Sequence, residues 1–140
     1  MTNKNIFVLM EILAAVTIVG VIAYFAIPKY SNILRASGEA ATKRGLASLR
    51  SAIALYYGDN GAKYPGVDIS KELVEKGYIK QIPYVYISHH KDSNVILTHN
   101  LEINTDTGGW AYKVDDMPNS PDRVKGQIWI NCSHGDWSKL

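Results

Sequence analysis

Residues 6–30 read IFVLMEILAAVTIVGVIAYFAIPKY. Within this stretch, positions 6–27 make an apolar run of 22 residues whose one charge is Glu11, with Thr17 and Gly20 as its only polar or small interruptions. About 20 such residues cross a bilayer core as a helix, so the run predicts a membrane segment. A cleaved secretory signal has a shorter apolar region, a basic start and a small-residue cleavage site. Here the preceding MTNKN brings only Lys4, and the sequence behind the run keeps helical spacing. Positive residues stand on both sides, Lys4 before and Lys29, Arg35, Lys43 and Arg44 after, so charge asymmetry does little to orient the segment.

Glu11 is the informative position. A carboxylate in hydrocarbon is costly, and such residues usually face a partner and mark function. Glu11 lies about 7 Å into the run at 1.5 Å per residue, so it either reaches the interface or meets a cation brought by another chain. Pro28, near the other end, either kinks the helix or marks its end at the membrane surface, because proline lacks the amide hydrogen and clashes one turn back.

The segment FVLMEILAAVTIVGVIAYFAIPKY, residues 7–30, resembles the N-terminus of type IV pilins and type II secretion pseudopilins. In that family a short leader precedes a phenylalanine, and glutamate is fifth in the mature chain. Proline follows at position twenty-two and often tyrosine at twenty-four. Counted from Phe7, Glu11 is fifth, Pro28 twenty-second and Tyr30 twenty-fourth. The match covers about a fifth of the chain. The resemblance implies cleavage between Ile6 and Phe7 by a prepilin peptidase, and N-methylation of Phe7. It implies that Glu11 neutralises the terminal ammonium of a neighbouring subunit, that Pro28 kinks the helix, and that Tyr30 occupies a position typical of the family. The family normally has glycine before the cleavage site, whereas this chain has Asn5-Ile6. A β-branched residue fits a glycine-selecting pocket badly, so the resemblance leaves processing at Phe7 open.

The remaining chain sets the fold class. Ile33, Leu34, Ala40, Ala41, Leu46, Leu49, Ile53 and Tyr56 recur at steps of three or four, which predicts an amphipathic continuation of the helix over 28–57. Gly38 and Gly45 read as mildly weakening interior positions. The sequence GDNGAKYPG, 58–66, stops the helix. DISKELVEKGY then predicts a short helix capped by Asp68 or Ser70, with Leu73 and Val74 facing inward and Gly77 ending it. Strands are expected at 95–103, at 108–115 with Trp110, Tyr112 and Val114 on one side, and at 126–132 with Ile128 and Ile130 opposed to Trp129. GGWAYKVD and GQIWIN also resemble the C-terminal hairpin of many pseudopilins. The expected class is α+β: a long N-terminal helix with a small antiparallel sheet packed on its C-terminal half, as the pilin resemblance also implies. The expected organisation is a leader-like segment at 1–6, a transmembrane or filament-core helix at 7–27, its amphipathic continuation at 28–57, and a head domain at 58–140.

Composition excludes several classes. The 140 residues carry 15 basic and 13 acidic side chains, a net charge of +2, and no basic block marks a nucleic-acid footprint. The single cysteine, Cys132, rules out an intrachain disulfide and a multi-cysteine metal site. His89, His90, His99 and His134 match no H-E-x-x-H or Cys-His spacing and read as solvated loop or strand positions. Asp115, Asp116 and Asp122 are weak calcium candidates whose spacing fits no EF-hand loop. The Asn131-Cys132-Ser133 sequon reads as chance. No P-loop, dinucleotide or nucleophile-elbow motif occurs, so neither a cofactor nor catalysis is expected.

The expectation is a structural filament subunit with no nucleic-acid partner, held in a bacterial inner membrane before assembly and in a periplasmic or cell-surface filament afterwards. Its partners would be copies of itself, a prepilin peptidase, an inner-membrane assembly platform and, before assembly, lipid. Pilus and secretion pseudopilus remain alternatives. So does a membrane-anchored, non-filamentous module that binds a ligand through Trp110, Trp129 or the loop 115–125.

Overall fold

The computed structural model of the protein describes residues 3–99, 106–114 and 124–140. In chain order these form helix α1 (Asn3–Asp59), helix α2 (Ile69–Glu75), strands β1 (Ile96–His99), β2 (Trp110–Lys113) and β3 (Ile128–Ile130), and a 3-10 turn at Trp137–Lys139. The chain divides into two compact units, 1–36 and 37–140.

The first unit is helix throughout its described residues. Pro28 lies inside α1 rather than at its end, so the reading of Pro28 as a helix terminus is corrected. Its ring removes the amide that would bond the carbonyl of Tyr24. One turn on, Ser31 Oγ donates to the Pro28 carbonyl at 3.0 Å. Thr17 hides its hydroxyl in the same way, donating to Leu13 O at 2.7 Å, which suits a hydroxyl on an otherwise apolar helix. The apolar side chains of this unit are uncovered, with Phe7, Leu9, Val19 and Phe25 at 74%, 66%, 66% and 68% exposure. The protein thus has one long apolar N-terminal helix that could cross a membrane.

In the second unit the helix buries a stripe of Thr42, Gly45, Leu46, Leu49, Ala52, Ile53 and Tyr56, the three-and-four spacing that places residues on one face. Ala40 and Ala41, expected in the stripe, are exposed, as are Ile33 and Leu34 in the first unit. Against the stripe pack Ile69 and Leu73 of α2, Ile82, Val85 and Ile87, and the strand residues Trp110, Tyr112, Ile128 and Ile130. α2 ends as expected. Gly77, at φ 77°, donates to Val74 O at 3.1 Å, and Tyr78 donates to Leu73 O at 3.0 Å, a left-handed cap that closes the last turn. Val74, expected inward, is 37% exposed.

Gly38 and Gly45 do more than weaken a helix. A Cβ on Gly45 would lie 3.0 Å from Pro83 Cβ and 3.2 Å from Trp110 Cζ2, and one on Gly38 would lie 3.0 Å from Tyr86 Cβ. The missing side chains let the 83–86 segment and Trp110 come down onto the helix. The polar edges of the large aromatics are satisfied where they land: Trp110 Nε1 donates to Pro83 O at 2.7 Å and Tyr112 Oη to Pro65 O at 3.1 Å.

The sheet order is β1-β2-β3. β2 and β3 pair antiparallel, Trp110 opposite Ile130 and Tyr112 opposite Ile128, as expected of these two strands. β1 pairs with β2 in parallel, Ile96 beside Trp110 and His99 beside Lys113. The expected all-antiparallel sheet is therefore corrected to a mixed one. Alternating hydrophobicity marks a strand but not its direction. β1 ends at His99, and ten positions precede β2. Ten residues reach about 33 Å at most, while a return past a four-residue strand needs about 13 Å. Trp110, Tyr112, Val114, Ile128 and Ile130 share the core face as expected. The opposite face is buried too, with Ala111, Lys113 and Trp129 at 0%, 6% and 7% exposure.

Candidate functional site

Among the described residues, two features outside ordinary core packing stand out, one in each unit. In the first unit it is Glu11. It is exposed on α1, four residues and so one turn beyond Phe7 on the same helical face. No ion-pair partner for it exists among the described residues. Ile6 and Phe7 are 51% and 74% exposed and lie inside the continuous helix, and Tyr30 is 64% exposed on it. The sequence-predicted residues of this region therefore share one helix and one apolar surface, on which Glu11 is the only acid.

In the second unit the chain assembles a cluster that sequence spacing did not foretell. His90 follows the 84–87 segment, Asp106 precedes β2, and Cys132 and His134 leave β3. His90 Nε2 lies 3.1 Å and His134 Nδ1 3.4 Å from Asp106 Oδ1, and Cys132 Sγ lies 3.7 Å from His134 Nδ1. All four candidate ligand atoms fall within 4.8 Å of one another. His90, expected to be solvated, has a side chain only 12% exposed; that of His134 is 46% exposed.

Local backbone geometry builds this arrangement. Asp106 sits at φ 54° and Gly108 at φ 78°. The turn they make is clamped to β3's exit by Gly108 N–H to Asn131 O at 2.9 Å and Asn131 N–H to Gly109 O at 2.8 Å. Only glycine suits position 108, because a Cβ there would overlap His90 Cβ at 2.2 Å as well as straining the backbone. The amide of Ser133 donates to Asp106 Oδ1 at 2.8 Å. That bond, with the two imidazoles beside it, holds the Asp106 carboxyl below the usual carboxylate range. The amide of His134 donates to Cys132 Sγ at 3.4 Å, while burial pushes the Cys132 thiol up. His89 stacks on His134 with ring centroids 4.7 Å apart.

The other sequence candidates fall elsewhere. Trp110 and Trp129 are 0% and 7% exposed, so neither presents a ring to a ligand. Asp115, Asp116 and Asp122 lie outside the described residues, as does most of the loop 115–125. The cluster escaped motif reading because its members are 16, 26 and 2 residues apart; Cys132 and His134, flanking Ser133, were its only local signal. In comparisons with protein-family models, curated proteins and solved structures, nothing matches this chain.

Proposed function

We propose that the protein is a structural subunit of a type IV pilus-like or secretion-pseudopilus filament. On this reading it waits in the bacterial inner membrane through its N-terminal helix and is then stacked into a polymer outside it. The observation that carries the reading is Glu11, the one acid on the uncovered apolar part of α1 within residues 3–36, at the family's spacing from Phe7, Pro28 and Tyr30. An unpaired carboxylate is expensive in lipid or in a helix-packed core. A cation from a second copy relieves that cost, and a polar pair at an interface fixes register. If Phe7 becomes the N-terminus, its ammonium is that cation. The head unit then serves as the contact with secretion or surface partners. Trp110 and Trp129 are buried, which favours this role over a ligand-binding anchor that uses them.

The test has two measurements. Mass spectrometry of the native N-terminus should find methylated Phe7. Electron microscopy of sheared surface material should find fibres containing the chain, and Glu11→Ala should lose them while the monomer stays folded in the membrane. Fibres at normal yield from the variant would remove Glu11's register role. The absence of any fibre from the unaltered chain would overturn the filament reading.

A further inference from the structure

We infer that His90, Asp106, Cys132 and His134 form a four-ligand site for a divalent transition metal of zinc's chemistry, which staples the head unit. This inference is independent of the filament reading.

The donor set selects the ion. One thiolate, two imidazoles and one carboxylate make a borderline-soft set, which calcium and magnesium avoid in favour of all-oxygen shells. Zinc takes such donors at about 2.0–2.3 Å in a tetrahedron. A tetrahedron with bonds of that length has edges of about 3.3–3.7 Å. Three of the six donor–donor distances, 3.1, 3.4 and 3.7 Å, already approach those edges, and all six lie within 4.8 Å. Four protein ligands leave no position for substrate, which is the pattern of a structural site.

The surroundings are those of a supported site. The Ser133 amide on the Asp106 oxygen and the His134 amide on the Cys132 sulfur orient two ligands from outside the shell. Gly108 leaves room for His90. Binding through His90 Nε2 requires the proton on its Nδ1, and binding through His134 Nδ1 requires it on Nε2. Binding takes the imidazoles in their neutral form and the carboxyl as carboxylate, and the Cys132 thiol proton passes to solvent as the metal–sulfur bond forms. A single ion then ties the segment before β1, the turn before β2 and the exit of β3.

The test uses the full chain in detergent, stripped with a chelator and dialysed. Zinc added to it should be retained at one ion per chain by elemental mass spectrometry, in the presence of excess calcium and magnesium. Cobalt(II) should give the intense visible bands of a tetrahedral ion and a thiolate charge-transfer band. Cys132→Ser should abolish the charge-transfer band. His134→Ala changes a half-exposed side chain, so the fold is not at stake, and it should weaken zinc by more than about 100-fold, beyond what loss of an outer-shell partner costs. His89→Ala should leave the stoichiometry intact. Failure of the stripped chain to retain zinc, octahedral cobalt spectra, or unchanged affinity in His134→Ala would each overturn the site.

Discussion

The hydroxyl of Thr42 accepts the amide of Tyr86 at 2.8 Å while itself donating to Gly38 O at 3.0 Å on its own helix. A fully buried side chain of α1 thus does for the 84–87 segment what a strand neighbour would do. Thr42→Val keeps the shape and strands the Tyr86 amide, so it should cost about 1–3 kcal/mol of stability. Thr42→Ser should recover most of that. Chemical denaturation of the full chain in detergent, followed by tryptophan fluorescence, measures both. Equal stability of the valine variant would mean that water reaches the amide.

Gly108→Ala forces a β-carbon into His90 at a backbone angle that side-chain residues seldom adopt. The strained conformation alone costs on the order of 1–2 kcal/mol. The alanine variant should melt lower, and the imidazole resonances of His90 should shift in NMR spectra as its ring leaves Asp106. A melting point equal to the parent's would show that the turn can move without cost.

Tyr112 supplies a pH dependence. Its buried phenol is pushed above the ordinary tyrosine range, chiefly by desolvation. Above about pH 10 the unfolded chain loses this proton while the folded chain keeps it. Stability due to the neutral phenol is therefore complete below pH 10 and declines as pH rises, with a slope of up to about 1.4 kcal/mol per unit. Tyr112→Phe should lose about 1 kcal/mol at neutral pH with the Pro65 hydrogen bond, yet show a flatter alkaline decline. Melting curves between pH 8 and 11 test the sign, and a steeper decline in the phenylalanine variant would contradict it.

Much of the architecture was legible because it rests on period and punctuation. The helix over 28–57 followed from three-and-four spacing, its end from 58–66, and the core face of β2 and β3 from strict alternation. What stayed hidden depends on which segments meet. Gly38 and Gly45 look like helix weaknesses until Tyr86, Pro83 and Trp110 are seen resting on them. The parallel direction of β1 is invisible to alternation, because strand polarity comes from the path of the connection. Trp129 was rightly placed on the face opposite the core, but its burial there is a tertiary fact. Beyond the Cys132–His134 pair, the His90–Asp106–Cys132–His134 cluster has no local spacing to detect, since the β2–β3 pairing delivers Asp106 to Cys132 and the 84–87 segment delivers His90. For the first unit the order of difficulty is reversed: Glu11 and its spacing are plain in the sequence, while no ion-pair partner for it stands among the described residues.

The core that begins at Leu46 is completed by Ile128, Ile130 and Cys132, which imposes a timetable on synthesis. A ribosome adding about 5–20 residues per second takes roughly 5–20 s to travel from Ile27 to Cys132. Throughout that interval the hydrophobic N-terminal helix is already made, while the head lacks the strand that closes it. A helix that enters lipid would therefore have a head start over folding of the head, and would not wait in water for the rest of the chain.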